Sequence, residues 1–209
     1  MFTPQGAIEV AMLKTKLSDV LPLKTYVSDD ADPLNVIINA MSKVGPDEGV
    51  AVQYLVRSAR GDWHSSARRV VEKAHRSGSL KEALGGDIFK TIMPPKKPTD
   101  PSVPQKRLSA KEEEIVKGIE EKSSKAGLEV NLRLVASAKE SHRARTMLNH
   151  IASSFSQYNY YEHGNSLKLV ASGRNATVVR DFIFRRFKTE RSFVLNTEEM
   201  TSLFHLPLK

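Results

Sequence analysis

The sequence predicts an α+β fold, in which two similar split-βαβ-like halves, each an α/β sandwich, are joined by a proline-rich linker. The first indication is that each half offers a strand, a capped amphipathic helix, a strand and a helix in the same order. The second is a break at residues 94–104, whose five prolines neither continue a helix nor fit a central strand. The third is the 40% of hydrophobic residues in the 209-residue chain, which suffices to bury a core. The predicted segments are a first half (1–93), the linker (94–108), a second half (109–195) and a helical junction (196–209).

The first half is predicted to open with a strand, because Ile8, Val10 and Met12 alternate with smaller or polar residues. A helix follows, for which Asp32 is a favourable N-cap and Pro33 suits the first helical position. The remaining elements predicted here are an edge strand or loop over 21–27, a strand over 50–57, a helix over 63–75 and a short helix over 80–93.

The second half is predicted to begin with a charged helix, because Ser109 and Glu112 form a capping-box pattern. Apolar and polar residues alternate without a fault over 128–134, which indicates a strand. Asn196 and Glu199 again have capping-box spacing and predict a final helix. Between them, the pattern predicts a helix over 144–155, a strand over 166–170, a helix over 178–187 and a strand over 193–195.

Composition excludes several classes of protein. The chain has no cysteine, which excludes disulfides, thiolate catalysis, cysteine-ligated zinc and iron–sulfur clusters. It has no run of about 18 apolar residues, so no transmembrane helix is predicted. The N-terminus lacks a basic region followed by an apolar one, so no secretory signal is predicted either. We therefore expect a cytoplasmic location.

The charge is uneven. Residues 1–104 carry 14 basic and 12 acidic side chains, a net charge of +2, whereas residues 105–209 carry 18 and 12, a net charge of +6. A basic half indicates a polyanionic partner, such as nucleic acid or an anionic membrane surface. The alternative is a solvated, lysine-rich surface that keeps the protein soluble.

No arrangement of residues predicts catalysis. The sequence contains no phosphate-binding loop, no G-x-S-x-G elbow and no H-E-x-x-H motif. His142 and His150 lie eight residues apart on one predicted helix, too far apart to bind one metal ion together. We therefore expect no enzyme activity, no metal site, no cofactor and no small-molecule substrate.

A stretch over 174–191 combines basic and aromatic residues, a pattern that binds single-stranded nucleic acid through phosphate pairing and base stacking. The alternative is an amphipathic helix whose Phe182 and Phe187 pack inward while the arginines are solvated. The basic residues that would bind nucleic acid are Arg174, Arg180, Arg185, Arg186, Lys188 and Arg191.

Trp63 is the single tryptophan and follows the second predicted strand. It is a candidate anchor for a partner protein, because tryptophan is enriched in binding hot spots. The alternative is that its ring caps the local core.

The C-terminal residues 193–207 resemble a junction in large conjugation and type IV secretion ATPases of the HerA/FtsK superfamily. In that family a segment of the form LNxEELAxLFHxP leads from an N-terminal α/β region towards a RecA-like motor, and this chain reads LNTEEMTSLFHLP from residue 195. Looser similarities occur at 22–26, 32–35, 49–57, 122–127 and 154–155, and at Trp63 and Asn165.

This resemblance implies an N-terminal α/β domain whose family Walker motifs would lie beyond Lys209, so ATP hydrolysis is not carried over to these residues. The implied role is to assemble motor subunits, to dock to secretion-channel proteins or to help present DNA or protein substrate. The role also allows self-association, and attachment to the inner face of the membrane through a segment outside this chain. The residues implied as a hinge to the motor are Leu203, Phe204, His205, Leu206 and Pro207.

Overall fold

The structure is a computed structural model that describes residues 6–26, 32–85, 107–171 and 175–205. It combines one antiparallel sheet with helices on both of its faces, so the predicted α+β class is confirmed. The proline-rich stretch over 94–104 lies outside the described residues. Residues 21–26 form a loop, which was one of the two alternatives for that segment.

The sheet is built from strands of both halves. The strands are β1 (Ala7–Thr15), β2 (Gly49–Ser58), β3 (Gly127–Ala138), β4 (Leu167–Ala171) and β5 (Phe193–Asn196). Their order in the sheet is β2-β3-β1-β4, and β5 also pairs with β3. β2 pairs with all of β3 except its first and last residues, whereas β1 and β5 pair with opposite ends of the other side of β3.

This topology corrects the expectation that each half forms its own sandwich. β1 and β2 come from the first half, yet both pair with β3 of the second, and β1 lies between β3 and β4. A two-stranded sheet is marginal alone in water, so two strands from the first half gain more by joining a five-stranded sheet.

Most helices begin close to where the sequence places them, but the helix predicted over 80–93 ends at Leu84, with Gly85 as its C-cap. Asp32 accepts a hydrogen bond from Leu34 N, and the Ser109–Glu112 capping box is present, as predicted. The helices described are α1 (Pro33–Ser42), α2 (Asp62–Ser77), α3 (Leu80–Leu84), α4 (Ala110–Ser123), α5 (Ser141–Ser154), α6 (Asn175–Ile183) and α7 (Thr197–Leu203), with short 3-10 turns at Phe155–Tyr158 and Thr189–Arg191.

The main core lies on one face of the sheet. Even-numbered residues of β3, such as Leu132 and Leu134, pack there against α1, α5 and α7, and Phe155 and Tyr158 are fully buried. Each fully buried large apolar side chain contributes roughly 1.5–3 kcal/mol. Burial also raises the pKa of the Tyr158 hydroxyl, which donates a hydrogen bond to Ser202 O (3.0 Å).

A second apolar cluster lies among α2, α3 and α4, where Ala67, Leu80, Ile115 and Ile119 are buried. The opposite face of the sheet is covered by α6, whose Val178 packs on the strands. This second face carries the polar groups that define the candidate site.

Candidate functional site

Three odd-numbered residues of β3 form a polar row on the face that α6 covers. Glu129, Asn131 and Arg133 alternate with the apolar residues of the main core, and all three are buried. Arg133 is among the largest fully buried side chains of the described residues. A buried guanidinium is stable only where it is hydrogen-bonded, so its partners decide what the row does.

Arg133 holds the C-terminal end of α6 against the sheet. Its Nη1 donates to Gln53 Oε1 (2.9 Å) and to Asp181 O (3.0 Å), and its Nη2 donates to Asn131 Oδ1 (3.3 Å) and to Arg186 O. Loss of hydration lowers the pKa of the Arg133 guanidinium, and the nearby Asp181 carboxylate opposes that change. Arg133 Nε and Asp181 Oδ1 have no hydrogen-bond partner in the part of the chain that the structure describes.

The residues after α6 lie along the polar row and are held there by side chains of the sheet. Asn131 Oδ1 accepts from Lys188 N (2.7 Å), and Asn131 Nδ2 donates to Lys188 O (2.9 Å). Arg57 pairs with Glu129 at 2.5 Å, and its guanidinium lies over the Phe187 ring, 4.1 Å from the centroid. We call residues 184–191 the tied segment, because Asn131 and Arg133 of β3 bond to its backbone and Arg57 of β2 packs on its Phe187 ring.

The turn that ends α6 directs the tied segment. Arg186 N donates to Asp181 O (2.9 Å) and Arg185 N donates to Phe182 O (3.2 Å), which is a Schellman motif. Arg185 takes the left-handed position with φ of +50°, where glycine is the usual residue. The motif ends α6 at Ile183, whereas the sequence predicts the helix to 187.

The six basic residues predicted to bind nucleic acid fall into different environments. Arg180, Arg185 and Arg186 are exposed. Lys188 and Arg191 are half-buried: Lys188 Nζ lies 3.7 Å from Asp181 Oδ2, and Arg191 Nη1 lies 3.5 Å from Met12 Sδ. Arg174 lies outside the described residues.

Two apolar side chains stand beside the exposed arginines. Ile183 is 60% exposed and Phe184 is 63% exposed, and the Arg186 guanidinium lies over the Phe184 ring at 5.2 Å. By contrast, Phe182 packs towards the sheet, as the alternative for this stretch predicted, whereas Phe187 lies beyond the end of α6 and is half-buried under Arg57. We call Arg180, Ile183, Phe184, Arg185 and Arg186 together the basic tip.

The β5–α7 junction is fastened to the sheet by a buried ion pair. The capping box predicted here is confirmed: Asn196 Oδ1 accepts from Glu199 N (2.8 Å), and Glu199 Oε2 accepts from Asn196 N (2.9 Å). Glu199 Oε2 also lies 3.1 Å from Lys122 Nζ, and both side chains are fully buried. Glu199 Oε1 accepts from Leu23 N (2.7 Å), and Lys122 Nζ donates to Leu21 O (3.2 Å).

The predicted hinge residues divide at the end of α7. Leu203 is buried in the main core, so it is part of the fixed junction and any hinge begins after it. Phe204 is 47% exposed, and its ring centroid lies 5.4 Å from that of Tyr54. His205 Nε2 lies 3.2 Å from Asp32 Oδ1. Leu206 and Pro207 lie outside the described residues.

Trp63 is a core residue. It is buried, and its indole lies against Gly127, where any β-carbon would overlap the ring. This agrees with the alternative in which Trp63 caps the core, and it leaves little of the ring for a partner protein.

A protein-family model described as a domain of unknown function (DUF8128) matches residues 2–209. The chain belongs to the DUF8128 family. No curated protein matches it.

The DUF8128 chain has an open cleft of about 440 Å³ beside the β5–α7 junction. Glutamates and lysines are among the residues that line it, and His163 Nδ1 lies 3.5 Å from Glu114 Oε2. Within residues 6–26, 32–85, 107–171 and 175–205, no three histidine or carboxylate side chains are grouped to hold a metal ion. Over the same residues, no helix has both the length and the apolar character needed to cross a bilayer.

Sequence reasoning missed the buried charges of this DUF8128 domain. Arg133 reads as the polar side of an alternating strand, and Lys122 reads as one cation of a charged helix. The Asn196–Glu199 capping box was the available sequence signal of a buried charge. The glutamate of a capping box uses one carboxylate oxygen for the cap and keeps the other for a further partner.

Proposed function

We propose that this chain is a non-catalytic interaction and assembly module of a type IV secretion or conjugative DNA-transfer ATPase of the HerA/FtsK superfamily. In this proposal it acts in the cytoplasm, at the inner face of the membrane. Its partners are a RecA-like motor domain outside this chain and proteins of the secretion channel. The observation that carries the proposal is the structure of the segment on which the resemblance rests.

That segment combines an anchored part with an exposed end. Leu195, Asn196, Glu199 and Leu203, which match the family pattern, are all buried. The Lys122–Glu199 pair joins α7 to α4, so the end of α7 cannot reorient without breaking a buried ion pair. Such an anchor would transmit the position of this domain to whatever follows it. Phe204 is the first exposed apolar residue after the anchor and is the expected contact with the motor.

The proposal is tested with the purified motor domain of a HerA/FtsK-superfamily secretion ATPase from the same genome, titrated onto the immobilised chain in biolayer interferometry. We expect binding that weakens about tenfold in Phe204→Ser, because an exposed aromatic residue at an interface contributes more than about 1 kcal/mol. Phe184→Ser is the matched control: it removes an exposed phenylalanine on the other face and should bind normally.

A second measurement separates this role from a nucleotide-binding one. ATP with Mg²⁺ should leave the thermal midpoint of the chain unchanged, because this role requires no nucleotide site. Binding would be visible, since a ligand at about 100 times its Kd stabilises the folded state by about 2.7 kcal/mol. No binding to the motor domain, or a clear rise of the midpoint with ATP, would overturn the proposal.

The exposed basic tip favours a second candidate function, nucleic-acid binding. Arg180, Arg185 and Arg186 present three guanidinium groups to solvent beside the exposed Phe184 ring, which could stack on a base. The tip is smaller than the sequence suggested, because Lys188 and Arg191 are engaged with Asp181 and Met12.

Anisotropy of fluorescent single- and double-stranded DNA, measured at about 50 and about 200 mM salt, tests this candidate. For three phosphate contacts on a single strand, the logarithm of the affinity should fall with log salt with a slope of roughly −2. Arg185→Glu/Arg186→Glu should abolish binding, whereas Arg68→Glu/Arg76→Glu on exposed α2 makes the same charge change and should not. Equal losses in both double variants would reject a site at the tip.

A further inference from the structure

β2 is an edge strand with regularly spaced, outward-facing backbone groups. Its inner side pairs with β3, and no strand of the described residues pairs with its outer side. Ala59 N donates to Gly127 O (2.9 Å), directly after the register pair Ser58–Leu128. Odd-numbered residues of β2 therefore bond to β3, and even-numbered ones point N–H and C=O outward. These outward residues are Val50, Val52, Tyr54, Val56 and Ser58.

This edge lacks the features that usually prevent pairing with another chain. β2 is ten residues long and contains no proline and no lysine. Its only charged side chain, Arg57, turns onto the sheet face, where it pairs with Glu129. Val56 is 43% exposed at the rim. The opposite edge is different, because β4 has only five residues and includes Lys168.

We propose that the outer edge of β2 pairs antiparallel with the same edge of a second copy of this chain, around a two-fold axis at Gln53. The two five-stranded sheets then become one continuous sheet. With Gln53 opposite itself, every outward-bonding residue meets an outward-bonding residue. Val52 faces Tyr54 and Val50 faces Val56 of the second copy, and aromatic and β-branched pairs of this kind stabilise sheets.

The charges in and beside β2 favour a second copy as the occupant. In this register Arg57 lies opposite Gly49 of the second copy, so the two Arg57 positions are about 27 Å apart along the strand. Just beyond the strand, exposed Asp47 of one copy comes opposite Ala59 and beside exposed Arg60 of the other. Opposite charges therefore meet at both ends of the pairing, and like charges do not.

Sedimentation of the 209-residue chain tests the pairing. We expect a concentration-dependent dimer with twice the 23.3 kDa of the monomer. Val56→Pro removes an outward N–H that β3 does not use, and it should weaken dimerisation about tenfold or more. The matched control is Leu169→Pro: Lys16 N bonds to Ser166 O, so Leu169 of β4 also points its N–H outward, and it is 37% exposed. That variant should dimerise like the parent chain.

Disulfide trapping tests the register, even if Val56→Pro fails to fold. The natural chain has no cysteine, so a single introduced cysteine can bond only to another copy. Gln53→Cys should cross-link, because Cα atoms of a non-hydrogen-bonded pair lie about 4.5 Å apart, within disulfide range. Ala51→Cys, on the same face, should not, because four residues along a strand separate the two copies by about 14 Å.

Circular dichroism of the reduced Gln53→Cys chain first checks its fold, since Gln53 accepts a hydrogen bond from Arg133. Cross-linking at 51 but not at 53 would overturn the register. A monomer at every concentration, with no cross-link in either variant, would mean that the edge is closed within its own chain, and it would overturn the pairing.

Discussion

Two buried cations fix two segments of the C-terminal part of the chain, by different chemistry. Lys122 meets the Glu199 carboxylate at 3.1 Å, beside the main-chain oxygens of Leu21 and Val194, and so fixes the β5–α7 junction. Arg133 instead donates to the Gln53 and Asn131 side-chain oxygens and to the main-chain oxygens of Asp181 and Arg186. It thereby fixes the end of α6 and the tied segment.

The difference shows what each cation requires of its surroundings. A buried ammonium beside a single carboxylate depends on that carboxylate's charge, and removing one partner leaves the other uncompensated. A guanidinium spread over several neutral oxygens depends on hydrogen-bond geometry, and the carbonyls at the C-terminal end of α6 carry partial negative charge that suits a cation. We therefore expect the β5–α7 junction to be more sensitive to loss of the Glu199 charge. The tied segment should be more sensitive to loss of the hydrogen-bond geometry around Arg133.

Glu199→Gln should have the largest effect, because it keeps the shape but leaves Lys122 charged and buried. We expect the free energy of unfolding to fall by about 3–5 kcal/mol in urea denaturation. Lys122→Met/Glu199→Gln removes both charges and should be more stable than Glu199→Gln alone. A loss below about 1 kcal/mol in Glu199→Gln would contradict the charge dependence.

Arg133→Met should cost less, about 2 kcal/mol, because it leaves acceptors without donors but also removes a desolvated cation. Hydrogen exchange of the tied segment should accelerate, in particular at the Lys188 N–H, which donates a hydrogen bond to Asn131 Oδ1. Exchange within α7 should stay unchanged. Equal acceleration in α7 would show that the Lys122–Glu199 pair and the Arg133 hydrogen bonds stabilise one cooperative unit and not two.

Arg185→Gly should stabilise the chain by about 1 kcal/mol, because glycine occupies the left-handed position without the cost that a β-carbon brings. Arg185→Ala loses the same charge but keeps the β-carbon, so it should give no such gain. Thermal unfolding of both variants at equal salt separates the backbone effect from the charge effect. A gain of equal size in Arg185→Ala would assign it to charge instead.

The smallest effect is expected at Glu48 and Arg143, a more exposed ion pair that serves as a reference for the buried ones. Hydrogen bonds from Arg143 and from Gly45 N lower the pKa of Glu48 from 4.5 to about 2. Because the folded-state pKa is depressed, the stabilisation is complete above pH 4.5 and is lost as the pH falls towards about 2. In Arg143→Gln, NMR titration should place the Glu48 pKa nearer 4.5, with a correspondingly weaker acid dependence of unfolding; an unchanged pKa would refute the assignment.

Local signals in the sequence predicted the helices and strands well. The caps at Asp32, Ser109 and Asn196 are formed by neighbours within three residues, so the information they need is contiguous. The alternation over 128–134 likewise predicted β3. These are properties of a short stretch of chain and do not depend on the tertiary arrangement.

The candidate site could not be predicted in the same way. Arg133 receives its partners from Gln53, Asp181 and Arg186, which lie 48 to 80 residues away in sequence. The alternation of residues in β3 predicts that one face of the strand is polar. It does not predict that α6 and the tied segment cover this face and bury its polar side chains. The mixing of the two halves in one sheet was missed for a similar reason, because strand order is decided by long-range pairing.

The position of β1 has a consequence for how the chain folds as it is synthesised. This strand is the first described element to leave the ribosome, yet its two neighbours in the sheet are β3 and β4, made more than a hundred residues later. No hairpin occurs among the described strands, so no early local pairing can hold β1 in place. Folding of this domain should therefore be slow and should wait until β3 and β4 have been made, since high contact order lowers folding rates. Until then, the apolar β1 remains available to chaperones.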